Sequence, residues 1–128
     1  MICVGIAALN AGIQYVQSHQ KEIVEKECFL LQKLYEGLSG YVEFYSSLEN
    51  STPIIALNIP KKDSAYVSDL LNYKYGIVTR CGAHCAPLMH KHLKTEERGI
   101  VRLSISFQNT IEDIDFVVRA IQKISNDY

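Results

Sequence analysis

The segment from Gly99 to Ser106 alternates between apolar and polar side chains, and this pattern limits the fold more than any other feature of the chain. The apolar positions are Val101, Leu103 and Ile105, and the polar positions are Arg102, Ser104 and Ser106. Successive side chains of a β-strand point to opposite faces, so the segment predicts a strand with one apolar and one polar face. Helices should therefore cover one face of the sheet.

The same reading of periodicity predicts the other elements. Apolar residues spaced by three and four predict two leading helices, at residues 4–18 and 20–38. Short strands are expected at 41–45, 54–59 and 77–80, with a polar loop carrying Asn50, Ser51 and Thr52 after the first. Further helices are expected at about 64–74, 87–93 and after 110. A chain of 128 residues fits one domain, 1–128. The predicted class is α/β (α+β), with a small, mainly antiparallel or mixed sheet of about four strands, preceded by two helices.

Residues that start or stop helices support these boundaries. Asp63 or Ser64 can cap the helix that Gly76 ends, and Pro87 suits the first turn of the next helix. Asn109 or Thr110 can cap the last helix, with acidic residues following near its third position.

Charge and composition exclude several classes of function. The chain has 13 basic and 14 acidic residues, so a basic surface for nucleic acid is not expected. No apolar run reaches the roughly 20 residues of a membrane span. The apolar stretch Ile2–Leu9 is short and no basic residue precedes it, so it is interpreted as structural and not as a signal peptide. These observations predict a cytoplasmic protein with four free thiols, and Cys28, on an apolar helix stripe, is expected to be buried.

The loop between Arg80 and Pro87 concentrates groups that carry chemistry. It holds Cys81, His84 and Cys85. Thiols near a helix N-terminus and cationic groups react as thiolates, so Cys85 is a candidate nucleophile with His84 as one option for its base. An ordinary loop with unreactive thiols explains the spacing equally well.

A zinc site is a second interpretation of the same loop. Cys81, Cys85 and nearby histidines offer enough donors, but a C-x3-C spacing without a second pair differs from the strong zinc patterns. His90 and His92 are two residues apart and would point to different sides of a helix, so they are interpreted as solvated.

Arg102 is the third candidate. It shares the polar face of its strand with two serines, so it is either a surface arginine in a weak ion pair or a fork for a carboxylate, and Arg80 can serve the same anion.

Three segments, residues 76–88, 99–104 and 109–115, resemble the carboxyl-terminal part of class V aminotransferases, and within them SufS-like cysteine desulfurases. The family pattern of an arginine, a glycine two residues on and then a cysteine and an alanine is matched by Arg80, Gly82, Cys85 and Ala86. The leading segment Gly5–Gly12 is similar to the helix that precedes this domain in the family.

The resemblance implies the small carboxyl-terminal domain of a fold type I enzyme that uses pyridoxal 5′-phosphate (PLP). Such enzymes convert L-cysteine to L-alanine and leave a persulfide on a cysteine. Cys85 would accept the sulfur and Arg102 would bind the substrate carboxylate, with Arg80 nearby. His84 matches a position that is often histidine, and no function is carried over to it or to Cys81.

The family's large domain, which supplies the PLP-binding lysine and most cofactor contacts, has no counterpart in this sequence. The chain alone is therefore expected neither to bind PLP nor to turn over cysteine. Its expected partner is that large domain or a second subunit, with a homodimer as a further option and the sulfur acceptor undefined. Two other hypotheses are a small autonomous sulfur carrier that uses Cys85 and a plain interaction domain. The fragment hypothesis predicts an exposed apolar patch on the first helix.

Overall fold

The structure, a computed structural model, describes residues 2–49 and 52–127. Asn50 and Ser51 of the predicted polar loop lie outside the described residues. The elements in chain order are α1 (Ile2–Leu38), β1 (Glu43–Phe44), β2 (Ile54–Asn58), α2 (Ser64–Tyr75), α3 (Pro87–Leu93), β3 (Val101–Ser104) and α4 (Ile111–Asn126). The mixed α/β class is confirmed.

The three strands form one antiparallel sheet in the order β1-β2-β3. Ile55 lies opposite Leu103, and Leu57 lies opposite Val101. All four side chains are buried on the face that packs against the helices, whereas Arg102 lies on the other, more exposed face. The one-sided strand that the alternation predicts is thus confirmed.

The core lies between this sheet and the helices α1, α2 and α4. Lys33 of α1 forms an ion pair with Asp115 of α4 at 3.0 Å, and the Gln122 side chain donates a hydrogen bond to the Gly37 carbonyl at 2.9 Å. These contacts fix α4 against the last turns of α1. The buried residues of the two helices are Leu30, Leu31, Leu34, Leu38, Ile114, Ala120, Ile121 and Ile124.

The prediction of two leading helices is wrong, because α1 is one helix of 37 residues. From Ile13 to Glu36 the sequence contains neither glycine nor proline, so nothing stops the helix near residue 19. The Ser18 hydroxyl donates to the Gln14 carbonyl of the preceding turn, which lets a polar residue remain inside the helix. No helix among the described residues is long and apolar enough to cross a membrane.

The predicted fourth strand at Ile77–Arg80 is also wrong. The Ile77 amide donates to the Leu71 carbonyl and so completes the end of α2 instead of joining the sheet. Val78 is 82% exposed, and only Arg80 forms a bridge with β3, opposite Arg102.

The prediction that Cys28 is buried is wrong as well. The thiol is exposed, because the buried part of α1 begins at Leu30 and leaves the preceding turns uncovered. Val24, one turn before Cys28 on the same stripe, is 48% exposed.

The predicted helix ends are confirmed. The Asp63 carboxylate accepts a hydrogen bond from the Ala65 amide at 2.8 Å. Gly76 ends α2 in the left-handed conformation, with a φ of 66°. Thr110 and Asp113 form a reciprocal capping box at the start of α4.

Candidate functional site

Arg80 and Arg102 are paired through their backbones. The Arg102 amide donates to the Arg80 carbonyl at 2.7 Å, and the Arg80 amide donates to the Arg102 carbonyl at 3.2 Å. Residues directly opposite each other in an antiparallel pair project their side chains to the same face, with Cβ atoms about 5 Å apart. The structure therefore brings the two predicted arginines together on the polar face of the sheet.

Among the residues that the structure describes, no acidic side chain pairs with these arginines. The ion pairs among residues 2–49 and 52–127 involve Lys21, Lys33 and Arg98, and neither Arg80 nor Arg102 takes part in one. The Nε atom of Arg102 is buried and has no hydrogen-bond partner in the described part of the chain. Two positive groups of this kind on one face favour a planar anion such as a carboxylate.

Cys85 lies in a tight turn just before α3. The Ala86 amide donates to the Ala83 carbonyl at 2.9 Å, and the two residues between them have positive φ angles, 49° for His84 and 58° for Cys85. A bond from residue i+3 to residue i with two positive φ angles is the pattern of a type I′ turn, which prefers Asn-Gly. A histidine and a cysteine in these positions are strained, and the turn leaves the Cys85 thiol exposed.

Two hydrogen bonds attach this loop to the residues that lead into β3. The Ile100 amide donates to the Gly82 carbonyl at 3.2 Å. The His84 Nε2 atom lies 2.9 Å from the Ile100 carbonyl oxygen, which makes that oxygen the partner of the ring. Because Ile100 is two residues before Arg102, the cysteine turn and the arginine strand are held as one unit.

Gly99 is a site residue that the sequence reasoning assigned only to the start of a strand. Its φ is 62°, and a Cβ at this position would lie 2.5 Å from the Ser64 Oγ and 2.7 Å from the Gly82 Cα. Only glycine fits where the cysteine loop crosses the entry to β3. A glycine directly before an alternating strand was the available signal.

The interpretation of His90 as solvated is wrong. His90 is 3% exposed, and its Nδ1 atom lies 2.9 Å from the hydroxyl oxygen of Thr95, which is 2% exposed. The His90 ring lies beside that of His84, with centroids 6.0 Å apart. His92 is exposed, as predicted.

The donors considered for zinc do not come together. Within the described ranges, no group of three or more His, Cys, Asp or Glu residues could hold a metal ion. Cys81 is half-buried in the loop, and all four cysteines are free thiols, as expected.

The amino-terminal half of α1 is an exposed apolar surface. Ile2 is 80% exposed, Ile6 62% and Leu9 64%. No Asp, Glu, Lys or Arg occurs before Lys21, so the charged residues of an ordinary surface helix are missing here. The apolar patch that the fragment hypothesis predicts on the first helix is present.

Known proteins resemble the chain over nearly its whole length. The family model of class V aminotransferases matches residues 1–117. A cysteine desulfurase of Klebsiella pneumoniae strain 342 is 32% identical over 124 residues, which are 94% of this chain and 29% of the relative. A protein of Methanothermobacter thermautotrophicus described as "probable cysteine desulfurase" is 32% identical over 115 residues, 89% of this chain and 28% of the relative.

A solved structure also matches nearly the whole of this chain but only part of its own length. The apo structure of a cysteine desulfurase from Thermococcus onnurineus NA1 matches 92% of this chain and 30% of that protein, with a TM-score of 0.84 and 25% identity. The chain thus spans less than a third of the length of the proteins it resembles.

Proposed function

We propose, from the premise that this chain belongs to the class V aminotransferase family, that it is the thiol-bearing small domain of a cysteine desulfurase-like enzyme. In this proposal Cys85 accepts sulfur, and Arg102 with Arg80 binds the carboxylate of an amino acid substrate such as L-cysteine. The observation that carries the proposal is the attachment of the Cys85 turn to the strand on which the two arginines meet.

The arginine pair supports the role in substrate binding. A guanidinium presents parallel N–H donors that match the two oxygens of a carboxylate. Arg80 and Arg102 have no acidic partner in the described residues, so their charge is free to attract the substrate. The half-buried Arg102 provides the more fixed donor, and the exposed Arg80 adds charge beside it.

The exposed thiol of Cys85 supports the role in sulfur transfer. In the proposed reaction the C–S bond of L-cysteine breaks, a proton replaces sulfur on carbon, and a new S–S bond forms on Cys85. The products are L-alanine and a persulfide. An exposed position lets a later acceptor, still undefined, reach the outer sulfur. Free thiols also agree with a reducing compartment, for which we propose the cytoplasm.

The residues of this chain do not by themselves fit the PLP that the family generally uses. A binding site needs a lysine amine facing the reacting substrate. The lysines nearest the cysteine turn along the chain, Lys91 and Lys94, are exposed at the end of α3. We therefore place the cofactor on a partner, the PLP-binding large domain of the same family, and expect no turnover by this chain alone.

The apolar half of α1 supports the need for such a partner. A helix without Asp, Glu, Lys or Arg over residues 2–20 is the type that other elements bury. Burying a side chain such as Ile6 or Leu9 contributes about 1.5–3 kcal/mol, so covering several of them supplies enough free energy to hold a large domain.

The proposal is tested with a chimera in which the amino-terminal part of the Klebsiella relative is joined to this chain. With PLP and L-cysteine, the chimera should release alanine and carry a persulfide on Cys85, detected by peptide mass spectrometry. Cys85→Ser should abolish the persulfide, and Cys28→Ser, which removes another exposed thiol, should not. Arg102→Gln should raise the KM for L-cysteine about 10- to 100-fold, as expected for the loss of charged hydrogen bonds.

Three outcomes would contradict the proposal. Arg119→Gln changes an exposed arginine on α4, and an equal effect of this control would show that Arg102 has no specific role. A persulfide on Cys81 or Cys28 instead of Cys85 would reject the assignment of the thiol. If the isolated chain accepts sulfur on Cys85 from a small persulfide while the chimera makes no alanine, the sulfur-carrier hypothesis replaces the enzyme hypothesis.

A further inference from the structure

The turn that carries Cys85 is not stabilised by its own sequence. His84 and Cys85 occupy the two central positions, with φ angles of 49° and 58°, where L-residues are disfavoured. The single bond inside the turn, from the Ala86 amide to the Ala83 carbonyl, does not distinguish this conformation from less strained ones. A turn of this composition needs a contact from outside to keep it in place.

The His84 side chain supplies such a contact. Its Nε2 atom lies 2.9 Å from the Ile100 carbonyl oxygen, and a carbonyl only accepts hydrogen bonds. The neutral ring therefore carries its proton on Nε2 and donates it to Ile100. The other nitrogen, Nδ1, is buried without a hydrogen-bond partner in the described residues.

The His84 ring also lies beside the ring of His90, with centroids 6.0 Å apart. The His90 ring is nearly parallel to it, with an interplanar angle of 28°. His90 is fixed in turn by the Thr95 hydroxyl at 2.9 Å and by the bond from the Thr95 amide to the His90 carbonyl, also 2.9 Å. His90 and Thr95 are both buried, so the ring beside His84 is itself held in place.

We propose that His84 is a positioning residue that fixes the Cys85 turn to the arginine strand through its Nε2–H bond to Ile100. The significance for sulfur transfer rests on the proposed function, but the anchoring itself does not. Without the anchor, the turn should open more often, and Cys85 should lose its fixed position relative to Arg102.

Three substitutions separate the hydrogen bond from the backbone preference. His84→Gln places an amide nitrogen at the same number of bonds from Cα as Nε2, so it can still donate to Ile100. His84→Asn is too short to do so, but asparagine is preferred over histidine at the first central position of a type I′ turn. His84→Ala lacks both properties. The two mechanisms therefore predict opposite rankings for Gln and Asn.

The measurement is amide hydrogen exchange of the whole chain, without cofactor or substrate. Ala86 and Ile100 report on the loop, because their amides form its bonds, and Ile121 in the core reports on global opening. Relative to Ile121, protection of Ala86 and Ile100 should fall about 3- to 10-fold in the Asn and Ala variants, the size expected for one hydrogen bond. The Gln variant should retain protection.

Unchanged protection in all three variants would overturn the proposal. So would protection kept by Asn and lost by Gln, because the backbone preference would then be the cause. Loss in the Gln variant together with the other two would assign the effect to ring stacking and also overturn the hydrogen-bond anchor. A variant with lower global stability stays informative, because the protection of Ala86 and Ile100 is always compared with that of Ile121 in the same sample. Since no sulfur chemistry is measured, failure here is distinct from failure of the chimera.

Discussion

Replacing Gly99 by alanine should lower the free energy of unfolding, and the structure allows three contributions to that change to be estimated separately. An L-residue at a φ of 62° is strained by about 1–2 kcal/mol. The new Cβ would lie 2.7 Å from the Gly82 Cα, and overpacking of this kind costs about 1–3 kcal/mol. The lower entropy of the unfolded alanine chain returns about 0.4–1 kcal/mol. The expected net loss in the free energy of unfolding is about 1–5 kcal/mol, centred near 3 kcal/mol.

Gly76→Ala is the matched control for this substitution. Gly76 has a similar φ of 66°, but nothing lies within 4 Å of a Cβ placed there. It should therefore show only the backbone strain less the entropy gain, about 1 kcal/mol. Urea unfolding of the two variants gives both free energies, and their difference isolates the crossing of Gly99 with the cysteine loop.

Equal losses for the two variants would refute the reasoning, because the crossing would then contribute nothing. A second readout locates the damage. Exchange of the Ile100 amide, which donates to Gly82, should accelerate more in Gly99→Ala than exchange of Ile121 in the core. If both amides accelerate equally, the substitution acts on the whole fold and not on the loop.

Three further predictions concern α4 and its contact with α1. Gly37→Ala should lower the free energy of unfolding by about 1–2 kcal/mol, because its Cβ would lie 2.8 Å from the Val118 Cγ2. Urea unfolding should show that this loss disappears when Val118 is also replaced by alanine. A loss that persists in the double variant would contradict this contact. Thr110→Ala should lower the free energy of unfolding by about 0.5–2 kcal/mol, because it removes the N-cap of α4. Hydrogen bonding from the Thr110 backbone lowers the pKa of Asp113 from 3.8, so its contribution to stability is present above that value and is lost as the pH falls through the lower folded pKa. Tm measured against pH should show a smaller acid loss in Asp113→Asn, and an identical loss would exclude the carboxylate as its source.

Sequence reasoning succeeded where the signal lies within a few residues. The Asp63 cap, the left-handed Gly76 and the box of Thr110 with Asp113 each depend on neighbours two to five positions away. The alternation around Arg102 likewise reports which face is buried without knowledge of the partner strand.

Sequence reasoning failed where burial or pairing depends on contacts that no local pattern reports. Isoleucine is a residue typical of strands, but the Ile77 amide donates a hydrogen bond to the Leu71 carbonyl at the end of α2. The burial of His90 depends on Thr95, five residues on, which corresponds to no helix or strand period. Cys28 fits an apolar stripe, but the described chain leaves that turn of α1 uncovered.

The candidate residues that the sequence patterns singled out lie where the chain departs from local preference. His84 and Cys85 occupy turn positions that suit Asn-Gly, and Arg102 keeps a buried Nε without a partner. Each of these features lowers stability, and all of them lie on one loop and the strand that holds it. A sequence optimised for folding alone would replace them. Their concentration around one exposed thiol and two guanidinium groups that form no ion pair within the described residues is what the proposed chemical role of this region would explain, whereas the capped and regularly packed α4 follows the rules of stability alone.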